Sequence, residues 1–289
     1  MNNLKTFSKF SIGTAQMGLN YGISNKYGMI KNKELEKIFQ FLAKNNLNKI
    51  DTAKAYGNCE SIIGNQVTNF KHINWDITTK FHQKKNLVSA FSDSSQKLRK
   101  KPNIILAHSV ALYTTKKFLK NILGLKECCK IKKFGFSATS EEDIIKGIKF
   151  YIPDVIQLPI NILDHSLYTN GTLRKLKDLN IEIQARSIFL QGLFYLPDKV
   201  IQEKFSDVVG VIDRLKAISN CHQLTLPELS FKWVNSLQEI DSLIIGIENA
   251  DQLQSHIQTI KKDVNNNIFD EALKINYSNI KVTNPSMWK

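Results

Sequence analysis

Four side chains in the N-terminal half of the chain could together deliver a proton to a carbonyl oxygen: Asp51, Tyr56, Lys80 and His108. Reduction of a carbonyl by hydride builds negative charge on oxygen, so the site needs a proton donor and groups that stabilise this charge. A tyrosine phenol can donate the proton, although its ordinary pKa is about 10. We expect the Lys80 ammonium to lower the pKa of Tyr56, and the Asp51 carboxylate to keep that ammonium charged and in position.

His108 completes the set, because an imidazole N–H beside the carbonyl oxygen would orient and polarise it. Each residue has a structural alternative when taken singly: Asp51 could cap the next helix or pair with Lys54, and His108 could be an interior histidine. The combination favours chemistry, because packing alone does not require four complementary groups at successive strand ends.

Short apolar or β-branched runs alternate along the chain with longer segments of helical period, a pattern typical of repeated β/α units around a parallel sheet. Helices are predicted over Glu34–Lys44 and Leu226–Leu237, with a last short helix near Asp270–Lys274. Eight strands are predicted, at Phe10–Ile12, Asn48–Ile50, Trp75–Thr79, Asn103–Ala107, Lys133–Phe136, Asp154–Leu158, Ile181–Ala185 and Asp241–Ile245.

The strand count and the position of the polar residues predict an α/β fold, a (β/α)8 TIM barrel forming one domain over residues 1–289. Asp51, Lys80 and His108 follow consecutive predicted strands, where barrel enzymes place their chemistry. No Gly-x-Gly-x-x-Gly follows the first strand, so a Rossmann dinucleotide site is not supported. The connections around Ser109–Thr115 and Phe189–Val200 look short for lids, which predicts an open mouth.

The bulk properties favour a cytoplasmic protein with a small-molecule partner. The formal net charge is +14, yet the lysines are scattered and are not interleaved with aromatics, so we predict no nucleic-acid partner. The first ten residues lack a continuous apolar stretch, and no membrane span is predicted. The four cysteines, including the adjacent Cys128 and Cys129, show neither metal-ligand nor disulfide spacing.

The sequence resembles the aldo-keto reductase family over nearly its whole length, and particularly compact members linked to sugar or surface-polysaccharide metabolism. The matching stretches include Asp51-Thr-Ala-Lys-Ala-Tyr56-Gly-Asn-Cys-Glu60, Ile77-Thr-Thr-Lys80 and Ile105-Leu-Ala-His108. The resemblance implies a barrel oxidoreductase that uses NAD(P)H on an aldehyde, ketone or sugar carbonyl, or runs the reverse oxidation. It also implies that Asp51, Tyr56, Lys80 and His108 are the catalytic residues, with Tyr56 as general acid and base.

The resemblance also implies a set of cofactor-binding residues. Ser137 and Gln157 should contact the nicotinamide carboxamide, which needs both a donor and an acceptor. The family usually follows the serine with asparagine, where this chain has Ala138, and stacks an aromatic on the nicotinamide, where this chain has Arg186. The further residues implied are Gly13, Thr14, Ser187, Leu190, Gly192, Gly246, Glu248 and Asn249.

Glu248 bears on the choice of cofactor. By resemblance it lies near the adenosine ribose, where a carboxylate would repel a 2′-phosphate and could accept from a free 2′-hydroxyl. This favours NADH over NADPH. The alternative is that Glu248 only interacts favourably with a helix macrodipole.

Two other functions stay open. A cofactor-binding sensor or scaffold with little turnover is motivated by Arg186 and Ala138, while the complete proton-handling set argues against it. A metal-dependent hydrolase or aldolase could use Asp51 and His108 as ligands, but the other strand ends offer no second histidine, and no metal site is predicted.

Overall fold

The structure is a computed structural model and describes residues 7–82, 86–128 and 130–288. The outermost ends of the predicted 1–289 domain, the first six residues of the N-terminal stretch and Cys129 lie outside these residues.

Within the described chain, eight parallel strands form a closed barrel in which each strand pairs with its sequence neighbours and β1 pairs with β8. The predicted single-domain (β/α)8 barrel is confirmed. The strands are β1 Phe10–Gly13, β2 Lys49–Asp51, β3 Asp76–Phe81, β4 Ile104–Ala107, β5 Lys133–Ser137, β6 Val155–Pro159, β7 Glu182–Arg186 and β8 Ser242–Gly246.

Helices surround the barrel, and none in the described ranges combines the length and apolar character needed to cross a bilayer. The α-helices are α1 Ala15–Gly18, α2 Asn32–Lys44, α3 Cys59–Val67, α4 Leu87–Lys97, α5 Val110–Tyr113, α6 Lys116–Glu127, α7 Glu141–Phe150, α8 Ser166–Thr169, α9 Thr172–Asp178, α10 Asp198–Lys204, α11 Val209–Cys221, α12 Leu226–Ser236, α13 Ala250–Lys261, α14 Asn267–Ala272 and α15 Ile280–Thr283. Short 3-10 turns cover Leu190–Tyr195, Ser206–Val208 and Pro285–Met287.

All strands except β4 extend one or two residues beyond their predicted ends. In most of these strands the apolar run stops before the backbone pairing does, because the last paired residue is glycine or polar. Gly13 pairs with Asp51 at the ends of β1 and β2, and Ser137 pairs with Gln157 between β5 and β6. The candidate site residues therefore sit on the rigid strand ends themselves.

Alternation along each strand separates two cores. Every second side chain, such as Ile50, Ile77 and Ile156, belongs to the large apolar core between the strands and the helices. The intervening side chains face the barrel axis. Asp51, Lys80 and Gln157 share that inward face, which explains how residues far apart in sequence come together.

Candidate active site

An ion pair inside the barrel joins the ends of β2 and β3. Asp51 pairs with Thr78 in the strand register, and Lys80 lies two residues further along β3 on the same face. The Lys80 ammonium donates to both carboxylate oxygens of Asp51, at 2.7 and 2.6 Å. Both side chains are almost completely buried. The charges therefore satisfy each other in a site shielded from bulk water.

Tyr56 lies in the tight turn between β2 and α3. Its N–H donates to the carbonyl of Ala53, and its own carbonyl accepts from the N–H of Cys59, where α3 begins. A Cβ on Gly18 would come within 2.0 Å of the Tyr56 carbonyl oxygen, and Gly57 has a positive φ of 57°. Glycine is required at both places for this close approach, which fixes the phenol over the barrel.

His108 and Tyr56 face each other at the mouth of the barrel. Their ring centroids are 6.3 Å apart in an edge-on arrangement, and the Lys80 ammonium lies 5.4 Å from the centre of the Tyr56 ring. Together with Asp51, these residues line one cavity of about 380 Å³. The structure thus brings the four predicted catalytic side chains to a single rim.

The electrostatics of Tyr56 differ from the expectation from sequence. Burial raises the pKa of Tyr56, Asp51 raises it further, and the opposing cation is Arg186. The expected net lowering of this pKa by Lys80 is wrong, because burial and the Asp51 carboxylate outweigh the nearby cations. The phenol is therefore protonated at neutral pH, which is the state a proton donor needs.

His108 is held neutral. Burial lowers the pKa of His108 to about 4, and the nearby Lys80 ammonium contributes. At neutral pH its imidazole has one N–H donor and one acceptor nitrogen. It can therefore donate a hydrogen bond to a carbonyl oxygen placed between it and Tyr56.

Glu60, the last residue of the motif that contains Asp51 and Tyr56, has a structural role. Its buried carboxylate accepts hydrogen bonds from the hydroxyls of Thr79, at 2.8 Å, and Ser94, at 3.0 Å. It thereby connects α3 with β3 and α4 just behind the Asp51–Lys80 pair.

Most of the predicted cofactor residues line the same cavity. Those in the lining are Gly13, Thr14, Ser137, Gln157, Arg186, Ser187, Gly192, Gly246 and Glu248. Leu190 and Asn249 are not among the lining residues.

Local hydrogen bonds explain these two exceptions. Leu190 is fully buried, and its N–H donates to the carbonyl of Ser187. The Asn249 side chain caps α13 by accepting from the N–H of Gln252. The Gly192 N–H is also used within its own loop, by the Phe189 carbonyl. The N–H groups of Leu190 and Gly192 are therefore both engaged within their own loop.

Ser137 and Gln157 form a donor and acceptor set that fits a carboxamide. Both N–H groups of the Gln157 amide are used, by Asp51 Oδ1 at 2.8 Å and by Gln184 Oε1 at 3.3 Å. Among the described residues, neither the Ser137 hydroxyl nor Gln157 Oε1 has a hydrogen-bond partner. A nicotinamide carboxamide would satisfy both, by accepting from Ser137 and donating to Gln157.

Arg186 and Ala138, the two residues that depart from the family pattern, contact each other. Arg186 Nη2 donates to the Ala138 carbonyl oxygen at 2.8 Å, and Nη1 donates to the Ser187 hydroxyl at 3.1 Å. The Ala138 side chain is buried in the apolar core. The guanidinium is therefore anchored by one edge to the ends of β5 and β7.

The connection after β1 contributes residues that sequence reasoning missed. Tyr21, Gly22 and Ser24 line the cavity, and the Ile23 N–H donates to the carbonyl of Gln191 in the connection after β7. The predicted open mouth is therefore wrong on this side, where the two loops meet. The other unpredicted lining residues are Ala15, Gln16, Thr139, Ile188, Phe189, Gln191, Tyr195, Ile244 and Gln252.

Two carboxylates lie at the start of α13, and of these Glu248 lines the cavity. Glu248 Oε1 lies 3.4 Å from the Ser24 hydroxyl, which donates to it. Glu34 of α2 accepts from the N–H of Ala250, the first residue of α13, at 2.7 Å, and this bond lowers the pKa of Glu34. Glu34 thus occupies a helix N-terminus that could otherwise receive an anion.

Across the described ranges, no group of three or more His, Cys, Asp or Glu side chains is arranged to hold a metal ion. Cys59, Cys128 and Cys221 are free thiols.

Comparison with known proteins places this geometry in context. The model of the aldo/keto reductase family matches residues 9–274. The fold is similar to that of the glycerol dehydrogenase of Gluconobacter oxydans, at a TM-score of 0.71 and 14% identity over 96% of this chain and 92% of that one. It is also similar to an aldo-keto reductase of Bacillus halodurans in its holo form, at a TM-score of 0.77 and 15% identity over 93% and 92%.

Proposed function

The chain belongs to the aldo/keto reductase family, whose members are NAD(P)-dependent oxidoreductases acting on carbonyl and alcohol groups, and we propose that it reduces an aldehyde, ketone or sugar carbonyl with Tyr56 as the proton donor. The observation that carries this proposal is the position of Tyr56, next to the buried Asp51–Lys80 pair and facing His108 in one cavity.

The cofactor, when bound, supplies the hydride. Ser137 and Gln157 would hold its carboxamide, for the reason given above. Gly13, Thr14, Ser187, Gly192 and Gly246 line the rest of the cavity and would follow its remaining length.

The protein's own residues handle the proton and the charge. The Tyr56 hydroxyl donates its proton to the carbonyl oxygen, and the neutral His108 imidazole donates a hydrogen bond to the same oxygen. Lys80, held by Asp51, stabilises the phenolate that Tyr56 becomes. Because Tyr56 starts protonated, the resting site is prepared for reduction.

We propose NADH as the preferred cofactor. Glu248 and Glu34 both present carboxylates at the start of α13, where the family resemblance places the adenosine ribose. A 2′-phosphate there would face like charge, while a 2′-hydroxyl could donate to a carboxylate.

We also propose a cytoplasmic location, because the described cysteines are unpaired and the thiol of Cys59 is buried in the core.

The test is to follow NADH oxidation by absorbance with a panel of aldehydes, ketones and aldoses. Carbonyl-dependent oxidation is expected in the wild type and should be lost in Tyr56→Phe. Tight binding of NADH without turnover across the panel would instead favour the cofactor-binding sensor.

A further inference from the structure

Arg186 is a cation without a counter-ion at the reacting end of the cavity. Among the described residues, no carboxylate forms an ion pair with it. Its guanidinium uses only two of its five N–H groups, on the carbonyl of Ala138 and the hydroxyl of Ser187. Leaving a partly buried charge unpaired is unfavourable unless a ligand compensates it.

The other ionisable groups in the cavity do not balance this charge. Lys80 and Asp51 cancel each other, and His108 is neutral at pH 7. Glu248 also lines the cavity, but its carboxylate contacts Ser24 near the start of α13. The reacting end therefore carries a net positive charge, while the α13 end is negative.

The position of Arg186 favours a ligand-binding role for this charge. Its guanidinium lines the cavity together with Tyr21, Tyr56 and Asp51, and these three groups and Asp143 act on it electrostatically. A neutral side chain could bond the Ala138 carbonyl equally well. A charged, planar fork of donors at this place is suited to a carboxylate, which it can bind through two parallel hydrogen bonds.

We propose that the substrate carries a carboxylate close to its carbonyl group, and that Arg186 binds this carboxylate and so selects acidic over neutral carbonyl compounds. This inference rests on the proposed reductase function and names the substrate class. Tyr21 can contribute to the same subsite, because it lines the same cavity, the Arg186 charge acts on its phenol, and its side chain is hydrogen-bonded to Gln191.

The experiment compares acid and ester substrates that share the same aldehyde. The probes are 2-, 3- and 4-carboxybenzaldehyde and the three matching methyl esters, each reduced with NADH at fixed ionic strength. The quantity measured is the ratio of kcat/KM for the acid to that for its ester. In the wild type this ratio should be about tenfold or more for at least one ring position, and the best position reports the distance from carbonyl to guanidinium.

Variants assign the discrimination to Arg186. In Arg186→Gln the acid-to-ester ratio should fall by about 10- to 100-fold, the usual range for a hydrogen bond to a charged group. Arg186→Lys keeps the charge but not the planar fork of donors, so its acid-to-ester ratio should lie between those of the wild type and Arg186→Gln. Arg214→Gln changes an exposed arginine on α11 and should retain the wild-type ratio. If Arg186→Gln does not fold, the comparison of Arg186→Lys with the wild type decides whether Arg186 causes the discrimination between acid and ester.

Three outcomes distinguish a failure of the carboxylate inference from a failure of the proposed reductase function. A wild-type ratio near one at every ring position overturns the inference, and so does an Arg186 variant that lowers acid and ester turnover equally. If wild type and Arg214→Gln bind NADH but reduce none of the six aldehydes or the wider carbonyl panel, the reductase function itself fails.

Discussion

The amide of Gln157 donates a hydrogen bond of 2.8 Å to Asp51 Oδ1, on the side of the carboxylate that also receives the Lys80 ammonium. Two further hydrogen bonds inside the barrel fix the orientation of the Gln157 amide. Gln184 Oε1 accepts the second N–H of Gln157, and Gln184 Nε2 donates to Glu182 Oε1 at 3.2 Å. A chain of directed hydrogen bonds therefore runs along the barrel axis to the carboxylate of Asp51.

Removing Gln184 should destabilise the protein. Gln184→Leu leaves a buried N–H of Gln157 without an acceptor, which costs about 1–3 kcal/mol. Urea unfolding would measure the loss, with Gln202→Leu on the exposed side of α10 as the control. Equal stability of the two variants would show that the axial chain contributes nothing to the fold.

Tyr56→Phe should reduce turnover by at least about 100-fold, because the variant cannot donate the proton. Its affinity for NADH, measured by quenching of protein fluorescence, should stay close to that of the wild type. Tyr27→Phe is the matched control, since that tyrosine is 78% exposed and outside the cavity. Wild-type turnover in Tyr56→Phe would remove this residue from its proposed role.

The two directions of reaction should depend differently on pH. Burial raises the pKa of Tyr56, so the phenol stays protonated and reduction should be nearly constant from about pH 6 to about pH 9. Oxidation needs the phenolate and should rise steeply with pH over the same range. Because the pKa of His108 is lowered to about 4, neither pH profile should show an additional titration step near pH 6.5. Initial rates in a constant-ionic-strength buffer would reveal any such step, which would contradict the neutral state of His108.

Wild-type enzyme should use NADH with a kcat/KM about tenfold or more above that for NADPH, because Glu248 lines the cavity and Glu34 adds a second carboxylate at the start of α13. Glu248→Gln and Glu34→Gln should each reduce this preference. Glu36→Gln, an exposed change on the same helix as Glu34, should not. Parallel kinetics with both cofactors test this, and a wild-type preference for NADPH would refute the assignment.

Acid should destabilise the protein through His256. Burial lowers the pKa of His256 to about 4, while an unfolded chain protonates it near 6.5. The unfolded state therefore binds more protons as the pH falls from 6.5 to 4, and stability is lost over that window. Between pH 6.5 and 5 the loss from this residue is about 2 kcal/mol.

The variant His256→Phe should lose this part of the pH dependence while it keeps the stacking on Phe189, whose ring centre is 4.9 Å away. Urea unfolding at pH 6.5 and 5 would measure the difference, with the exposed His72→Phe as the control. The same pH dependence in His256→Phe and the wild type would assign the acid sensitivity to other groups.

The sequence was sufficient to predict the barrel and the meeting of the four side chains proposed to be catalytic. Both depend on regular features: β/α units alternate along the chain, and polar residues such as Asp51 and Lys80 interrupt the apolar runs at strand ends. The alternation of side chains along a parallel strand then places these residues on one inward face.

Features that depend on irregular backbone were not predicted. Tyr21 and Ser24 lie in a connection without periodicity, and only the bond from Ile23 to Gln191 shows that it covers the cavity. The contact of Arg186 with the Ala138 carbonyl crosses between strands and leaves no trace in local sequence. The direction of the Tyr56 pKa depends on how deeply the ring is buried, which composition does not report.

The contact between the connection after β1 and the connection after β7, over the cavity, should affect the kinetics of the reaction. The Ile23–Gln191 bond and the Ser24–Glu248 contact close one side of the space in which a dinucleotide would lie. The two loops are closely packed, since a Cβ on Gly192 would come within 2.2 Å of the Ser24 hydroxyl oxygen. A bound dinucleotide would thus be enclosed on this side, and its release would require both contacts to separate. We therefore expect a long residence time, an initial burst of product on rapid mixing, and a steady rate set by exchange of the spent nucleotide.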